Sequence, residues 1–331
     1  MAFDVVTKLG KIKFGIILDR CHWYRDVAGQ TKSEVNWDRV AGMAIKCDDL
    51  GFDAIYGCDH LSWEGGAMLE WGTTKAAIAA ITKKAQLGET VVAVGYRNPA
   101  VLAKMVANID FISHGRVILG IGAGWAEQEY TGYGLPFPKP AVRIGQLREA
   151  VKICKLMWTE KRPKWKGKYY QIDGPICEPK PVQKPRPPIM IGGGGEQLTL
   201  RVVAQEADEW NFFGSVKSYA HKLDVLRKHC AVVGRNYDEI KKQWSSELII
   251  YRHKEELADI VERTPGLKFT RGLMPLTQEY VDRNLIGTTD EIIDQIQKRI
   301  DIGVTTFLTY PRKGTEEEVE TYYDKVVKAF K

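Results

Sequence analysis

A chain of 331 residues, 44% hydrophobic and 27% charged, is long enough to bury a large core, and its composition excludes a disordered or fibrous protein. No apolar run reaches the roughly 18 residues that a membrane span needs, and the start Met1-Ala2-Phe3-Asp4 has no basic-then-apolar signal pattern, so a cytoplasmic protein is expected. The formal charge of +6 is spread along the chain and suits an acidic ligand without arguing for nucleic acid; six cysteines without a C-x-x-C pair point to reduced thiols, with neither a metal site nor a disulfide framework.

Apolar runs alternate with amphipathic ones from end to end, the pattern of parallel strands joined by helical crossovers. The first strand is expected over 13–18 and a helix over 33–50, with Ser33 as N-cap and Gly51 as its stop. Strand two follows over 53–57, a helix over 70–83, strand three over 86–94, a helix over 99–113 opened by Pro99, and strand four over 116–121 beyond Gly115. After a helix over 142–158, residues 159–188 break the rhythm with Pro, Lys and aromatic residues. Strand five lies at 189–191, a helix at 198–207, strand six at 209–213, a helix at 217–233 and strand seven at 246–251. A second excursion occupies 252–288, before a helix at 290–302, strand eight at 305–309 and a last helix at 316–331. Eight strands at this length predict one α/β domain over 1–331, a closed (β/α)8 TIM barrel with insertions after strands four and seven. The competing open, doubly wound sheet places its glycine-rich turn after the first strand; here the glycines follow strands four and five.

The run Pro187-Pro188-Ile189-Met190-Ile191-Gly192-Gly193-Gly194-Gly195-Glu196-Gln197 is a short buried strand that empties into four glycines ahead of a helix. Without a Cβ the backbone can approach a ligand closely, and the helix start offers N–H groups and a positive dipole end. A phosphate is the expected guest, a tight turn with nothing bound the plain alternative. In a barrel the active site lies where the strands end. Asp59-His60, with Trp63 close behind, follows strand two, and His60 is a candidate acid, base or electrostatic stabiliser or an ordinary loop histidine. Tyr96-Arg97-Asn98-Pro99 ends strand three, where Arg97 either forks onto a carboxylate or phosphate or fixes the rim through a salt bridge. Gly120-Ile121-Gly122-Ala123-Gly124-Trp125 ends strand four with small residues that clear space for a flat ligand face, and Trp125, Glu129 and Tyr130 line the exit. Neither glycine run is a G-x-G-x-x-G fingerprint, so a dinucleotide-binding reading loses its main support. The basic and aromatic residues of 161–170 read as a solvated hairpin in preference to a base-stacking track. There is no H-E-x-x-H, P-loop lysine or G-x-S-x-G elbow to support metal or serine hydrolysis.

These groups, in this order, resemble the luciferase-like monooxygenase superfamily and, within it, the coenzyme F420-dependent oxidoreductases. The resemblance is carried through nearly the whole barrel by Gly51-Phe52-Asp53, Asp59-His60-Leu61, Tyr96-Arg97-Asn98-Pro99-Ala100, Asp110-Phe111-Ile112-Ser113-His114-Gly115-Arg116, Gly120-Ile121-Gly122-Ala123-Gly124-Trp125, Glu129-Tyr130, Gly167-Lys168-Tyr169-Tyr170, the strand-five run and Ala207-Asp208-Glu209-Trp210-Asn211. It implies a flavin or deazaflavin at the carboxyl-terminal mouth, its phosphate near Gly192, Gly193, Gly194, Gly195 and Glu196. It also implies a bulge in strand three, with a non-prolyl cis bond at Thr90-Val91 beneath the central ring. The remaining cofactor contacts it implies are Asp19, His60, Arg97, Gly122, Ala123, Gly124, Trp125 and Tyr130. In the sugar-phosphate dehydrogenases of the superfamily a glutamate stands where this chain has Trp125, a departure that argues against their substrate.

The expected mechanism is hydride transfer between C5 of F420 and a small organic substrate, with His60 acting near the hydride, Asp59 orienting it and Trp125 walling the pocket. An FMN-dependent monooxygenase, fed reduced flavin by a reductase partner, is the rival within the superfamily, and a barrel that holds flavin without turnover is the rival outside catalysis. The resemblance further implies a homodimer.

Overall fold

The computed structural model describes residues 11–18, 22–25, 31–62, 67–263 and 277–331. In chain order, β1 (Lys13–Ile17) leads to a hairpin of β2 (His22–Arg25) and β3 (Thr31–Glu34), then α1 (Trp37–Leu50), β4 (Ala54–Tyr56), α2 (Trp71–Ile81), β5 (Gln86–Leu87), β6 (Val92–Ala93), α3 (Pro99–Ile112), β7 (Leu119–Gly122), α4 (Glu127–Gly132) and α5 (Pro140–Thr159). The second half brings β8 (Lys164–Lys166), β9 (Gln171–Asp173), β10 (Ile189–Gly192), α6 (Thr199–Glu206), β11 (Glu209–Phe212), α7 (Val216–Val233), β12 (Lys241–Ile250), α8 (Glu256–Arg263), α9 (Gln278–Arg283), β13 (Leu285–Gly287), α10 (Thr289–Asp301), β14 (Thr306–Pro311) and α11 (Glu316–Lys325).

The main sheet runs β5-β4-β1-β14-β12-β11-β10-β7-β6, all pairs parallel. Its two ends belong to one barrel strand, split by residues 88–91. β5 also meets the approach to β7, where Leu87 N–H donates to the Arg116 carbonyl and Ile118 N–H to the Leu87 carbonyl. The ring therefore closes as a (β/α)8 barrel, and β13 adds to β12 outside it.

Alternation along the strands sorts the core. Ala54, Tyr56, Ile118, Met190 and Leu308 form a small apolar cluster within the ring, while Ile16, Ile55, Leu87, Ile121, Ile191, Trp210, Trp244 and Phe307 pack outward against the helices. Gln243 donates to the Tyr56 hydroxyl and to the Glu209 carboxylate, which makes part of the interior polar. That polar layer explains why β12 begins at Lys241, five residues before the expected start at 246: Lys241, Lys242 and Gln243 do not look like a buried strand.

Further boundaries differ from expectation, two of them at helix ends. Ser33 belongs to β3, and α1 is capped instead by Asn36, whose side chain accepts the Arg39 N–H at 3.0 Å; Gly51 closes it in the left-handed conformation, φ 93°, as expected. The last helix stops at Lys325 and a 3-10 turn, Val327–Phe330, follows. Within 159–188, β8 and β9 form an antiparallel hairpin fastened to α5 by Glu149, which accepts the N–H groups of Lys168, Tyr169 and Tyr170. Lys164 of that hairpin pairs with Asp173 at 2.7 Å, in keeping with a solvated hairpin. No described helix is long and apolar enough to cross a membrane.

Candidate active site

The loops after β4, β6 and β7 meet on one buried carboxylate. Glu129, carried by α4, places Oε1 2.5 Å from His60 Nδ1, while its Oε2 accepts the Leu61 N–H at 2.6 Å and the Tyr96 hydroxyl at 3.0 Å. Burial alone would raise the Glu129 carboxyl, but the bonds from His60, Leu61 and Tyr96 outweigh it and hold the group below the usual range. The Tyr96 hydroxyl is pushed up by its own burial and by that carboxylate. Trp125 stands edge-on to the His60 ring, centroids 5.8 Å apart, with its side of the site open: the residue is 57% exposed.

Asp59, expected to orient His60, is engaged elsewhere. Its carboxylate receives Arg97 through two bonds of 2.6 and 3.0 Å and the Ala93 N–H at 3.2 Å. Arg97 adds a 2.5 Å bond to Glu70 and lies over the Trp71 ring. Desolvation works against the guanidinium, yet the two carboxylates outweigh it and raise its pKa. Glu70, despite burial, is brought down to about 2 by the N–H groups of Thr73 and Gly72 and by Arg97. Of the two readings of Arg97, the rim salt bridge is the one the geometry carries: its fork is spent on Asp59 and Glu70.

Residues 88–91 bulge between β5 and β6, with Thr90-Val91 cis and the Thr90 N–H bound to the Gly57 carbonyl at 2.8 Å. The bulge fills the space that the strand-four glycines were expected to leave for a ligand. A Cβ at Gly122 would stand 2.5 Å, and one at Gly192 2.6 Å, from the Val91 methyls; one at Gly120 would strike the Glu89 carbonyl. Gly124 takes φ +74°, and a Cβ there would strike Tyr130. Tyr130 itself is fully buried against Tyr96 and Phe137, so it backs the site from behind; Ala123 is half-buried and packs against the main core.

Gly193, at φ +127°, donates its N–H to Asn211 and accepts the Trp210 indole N–H at 2.9 Å. A Cβ at Gly194 would strike Phe212, and one at Gly195 would stand 2.7 Å from Thr199 Oγ1 and 3.9 Å from the Thr199 nitrogen, in front of the start of α6. That helix has no side-chain cap. Backbone walls, an uncapped helix start and positions where a Cβ would crowd its neighbours suit the phosphate of a ligand. Glu196 faces α7, where His221 and Lys222 hold its carboxylate at 3.0 and 2.5 Å and His229 donates to its carbonyl. Asp19 and Trp63 lie outside the described residues.

Sequence reasoning placed Glu129 at the exit and missed its bond to His60; it missed Glu70 and the buried pair of Lys75 and Glu89, 2.9 Å apart, entirely. The one available signal was Glu70 at the start of a helix, a position that also reads as an ordinary cap.

A family model described as luciferase-like monooxygenase matches residues 12–306. The chain is 35% identical, over 274 residues covering 77% of it and 78% of the relative, to an F420-dependent glucose-6-phosphate dehydrogenase of Amycolatopsis mediterranei (strain U-32). Two solved structures share the fold: an F420-dependent secondary alcohol dehydrogenase in complex with an F420-acetone adduct, with TM-score 0.80, 17% identity and 96% and 99% of the two chains covered, and a coenzyme F420-dependent tetrahydromethanopterin reductase from Methanopyrus kandleri, with TM-score 0.79, 19% identity and 97% and 100% covered.

Proposed function

Because this chain belongs to the luciferase-like monooxygenase family, we propose that it is a coenzyme F420-dependent oxidoreductase that moves a hydride between the deazaflavin and a small organic alcohol or carbonyl compound. The observation that carries the reading is the bond from His60 Nδ1 to Glu129 at the barrel mouth.

Coenzyme F420 supplies a ring carbon, C5, that accepts or gives a hydride. The chain supplies binding, orientation and the proton. Gly192, Gly193, Gly194, Gly195 and the start of α6 would hold the cofactor phosphate. Glu129 is ionised and can only accept, so the proton of a neutral His60 sits on Nδ1 and the lone pair on Nε2. Nε2 then takes the hydroxyl proton of an alcohol as the neighbouring carbon loses its hydride and becomes a carbonyl; in reverse, a doubly protonated ring returns that proton. Trp125 presents an indole where the sugar-phosphate dehydrogenases carry a glutamate, which favours a substrate with an apolar face over a sugar phosphate.

Anaerobic mixing with F420, and separately with FMN, across a panel of small alcohols and ketones tests the assignment. Absorbance changes of the deazaflavin that depend on the substrate are expected. Tight FMN binding with no F420 response would overturn it in favour of a flavin-dependent monooxygenase.

A further inference from the structure

Lys75 and Glu89 are 3% and 2% exposed, their charged groups stand 2.9 Å apart, and the chemistry at His60 uses neither. Lys75 comes from the buried face of α2, and its Nζ also donates at 3.4 Å to the Ile55 carbonyl, the oxygen that accepts the Gly88 N–H. Two charges taken out of water are at best repaid by their mutual attraction, and an apolar pair of similar volume is often as stable or more so. What the charges add is direction: they hold the Glu89 side chain at one place on α2.

Glu89 is also held from the other side. Its carbonyl lies against Gly120, where a Cβ would strike it, and the next residue, Thr90, donates its N–H to the Gly57 carbonyl at 2.8 Å. One residue further on, half-buried Val91 sets its methyls against Gly122 and Gly192, the last residues of β7 and β10. Val91 therefore closes the barrel at the carboxyl ends of its strands and forms the floor of the mouth.

We propose that Lys75 and Glu89 are positioning residues: the buried pair sets the height and tilt of the bulge at 88–91, and so of the Val91 floor beneath the cofactor ring. Which ring lies on that floor rests on the F420 reading; the hold of Lys75 on the bulge does not.

Lys75→Met combined with Glu89→Leu removes both charges at similar volume and should fold with a Tm close to that of the parent. In the ligand-free double variant, amide hydrogen exchange in peptides spanning 86–96 should quicken about tenfold, with α6 and α7 unchanged. The deazaflavin fragment without its phosphate tail should bind about tenfold more weakly, and the absorbance of the bound ring should shift towards that of the free ring. Parental exchange at 86–96 in the folded double variant overturns the proposal. So does a lower Tm with exchange quickened throughout and the bound-ring spectrum unchanged, which would make the pair a structural brace only. Exchange is read without cofactor, so it decides the hold of Lys75 on the bulge even if the parent fails to bind F420; FMN is then the ring probe. Should the double variant fail to fold, Glu89→Ala, in which the buried lysine can shed its proton, carries the same readouts.

Discussion

Glu129 Oε1 stands 2.5 Å from His60 Nδ1 while the other oxygen of the same carboxylate takes the Leu61 N–H, so one buried side chain fixes both an imidazole and the peptide beside it. Glu129→Gln replaces an obligate acceptor with a group that can also donate, and the proton of His60 is no longer confined to Nδ1. Turnover with F420 should fall by about 10² or more, with F420 affinity changed only a few-fold. Steady-state kinetics and a binding titration separate the two effects. Equal loss of affinity and turnover would make Glu129 a packing residue only.

Arg97 and Asp59 form a pair whose loss should appear as instability. Arg97→Ala leaves Asp59 buried and without its fork, at a cost of about 3–5 kcal/mol in urea denaturation. Adding Asp59→Asn should recover much of that, because the uncompensated charge is gone. If the double variant is as unstable as the two single losses summed, the pair is not the coupling unit.

Acid should weaken the rim in a defined window. The carboxyls of Glu70 and Glu129 are both held below the ordinary 4.5, so the stability they confer is complete above that value and is lost as pH falls through their folded pKa values, about 2 for Glu70. The Tm should therefore hold steady from pH 7 to 5 and decline below about 4.5. Glu70→Gln should lower Tm at pH 7 and converge with the wild type near pH 2; a constant gap across that range would mean that its charge contributes nothing.

What the sequence discloses of this fold follows periodicity, and what it hides follows polarity inside the barrel. Strands such as β10 and β11 read plainly because Ile189, Met190, Ile191 and Trp210 are apolar and buried. The early part of β12 does not, since Gln243 is buried on Tyr56 and Glu209 and not on apolar neighbours. At the site, the small residues that end strand four were expected to clear space for a flat ligand face, and at Gly120 and Gly122 the groups that come close are the Glu89 carbonyl and Val91 of the chain itself. Partner choice was the least legible part. Asp59 adjoins His60 in sequence and pairs with Arg97, whereas Glu129, 69 residues on, reaches the imidazole; only the barrel closes that distance.

The glycines after β10 make a claim about which end of the cofactor they hold. A Cβ at Gly195 would occupy the space in front of Thr199, 2.7 Å from its Oγ1, where the proposed phosphate would approach the start of α6. Gly195 is not among the glycines with positive φ, so Gly195→Ala strains no dihedral and asks only that the Thr199 hydroxyl turn away; the variant should fold, with a Tm modestly below that of the parent. Its affinity for F420 should drop tenfold or more, about 1.4 kcal/mol, as read by a fluorescence titration. The deazaflavin fragment that lacks the phosphate tail supplies the control, because the contacts proposed for it lie at the ring end near His60. Its binding should be the same in both proteins. Equal weakening of fragment and cofactor would mean that the alanine disturbs the barrel mouth as a whole, and the strand-five glycines would then be a structural turn.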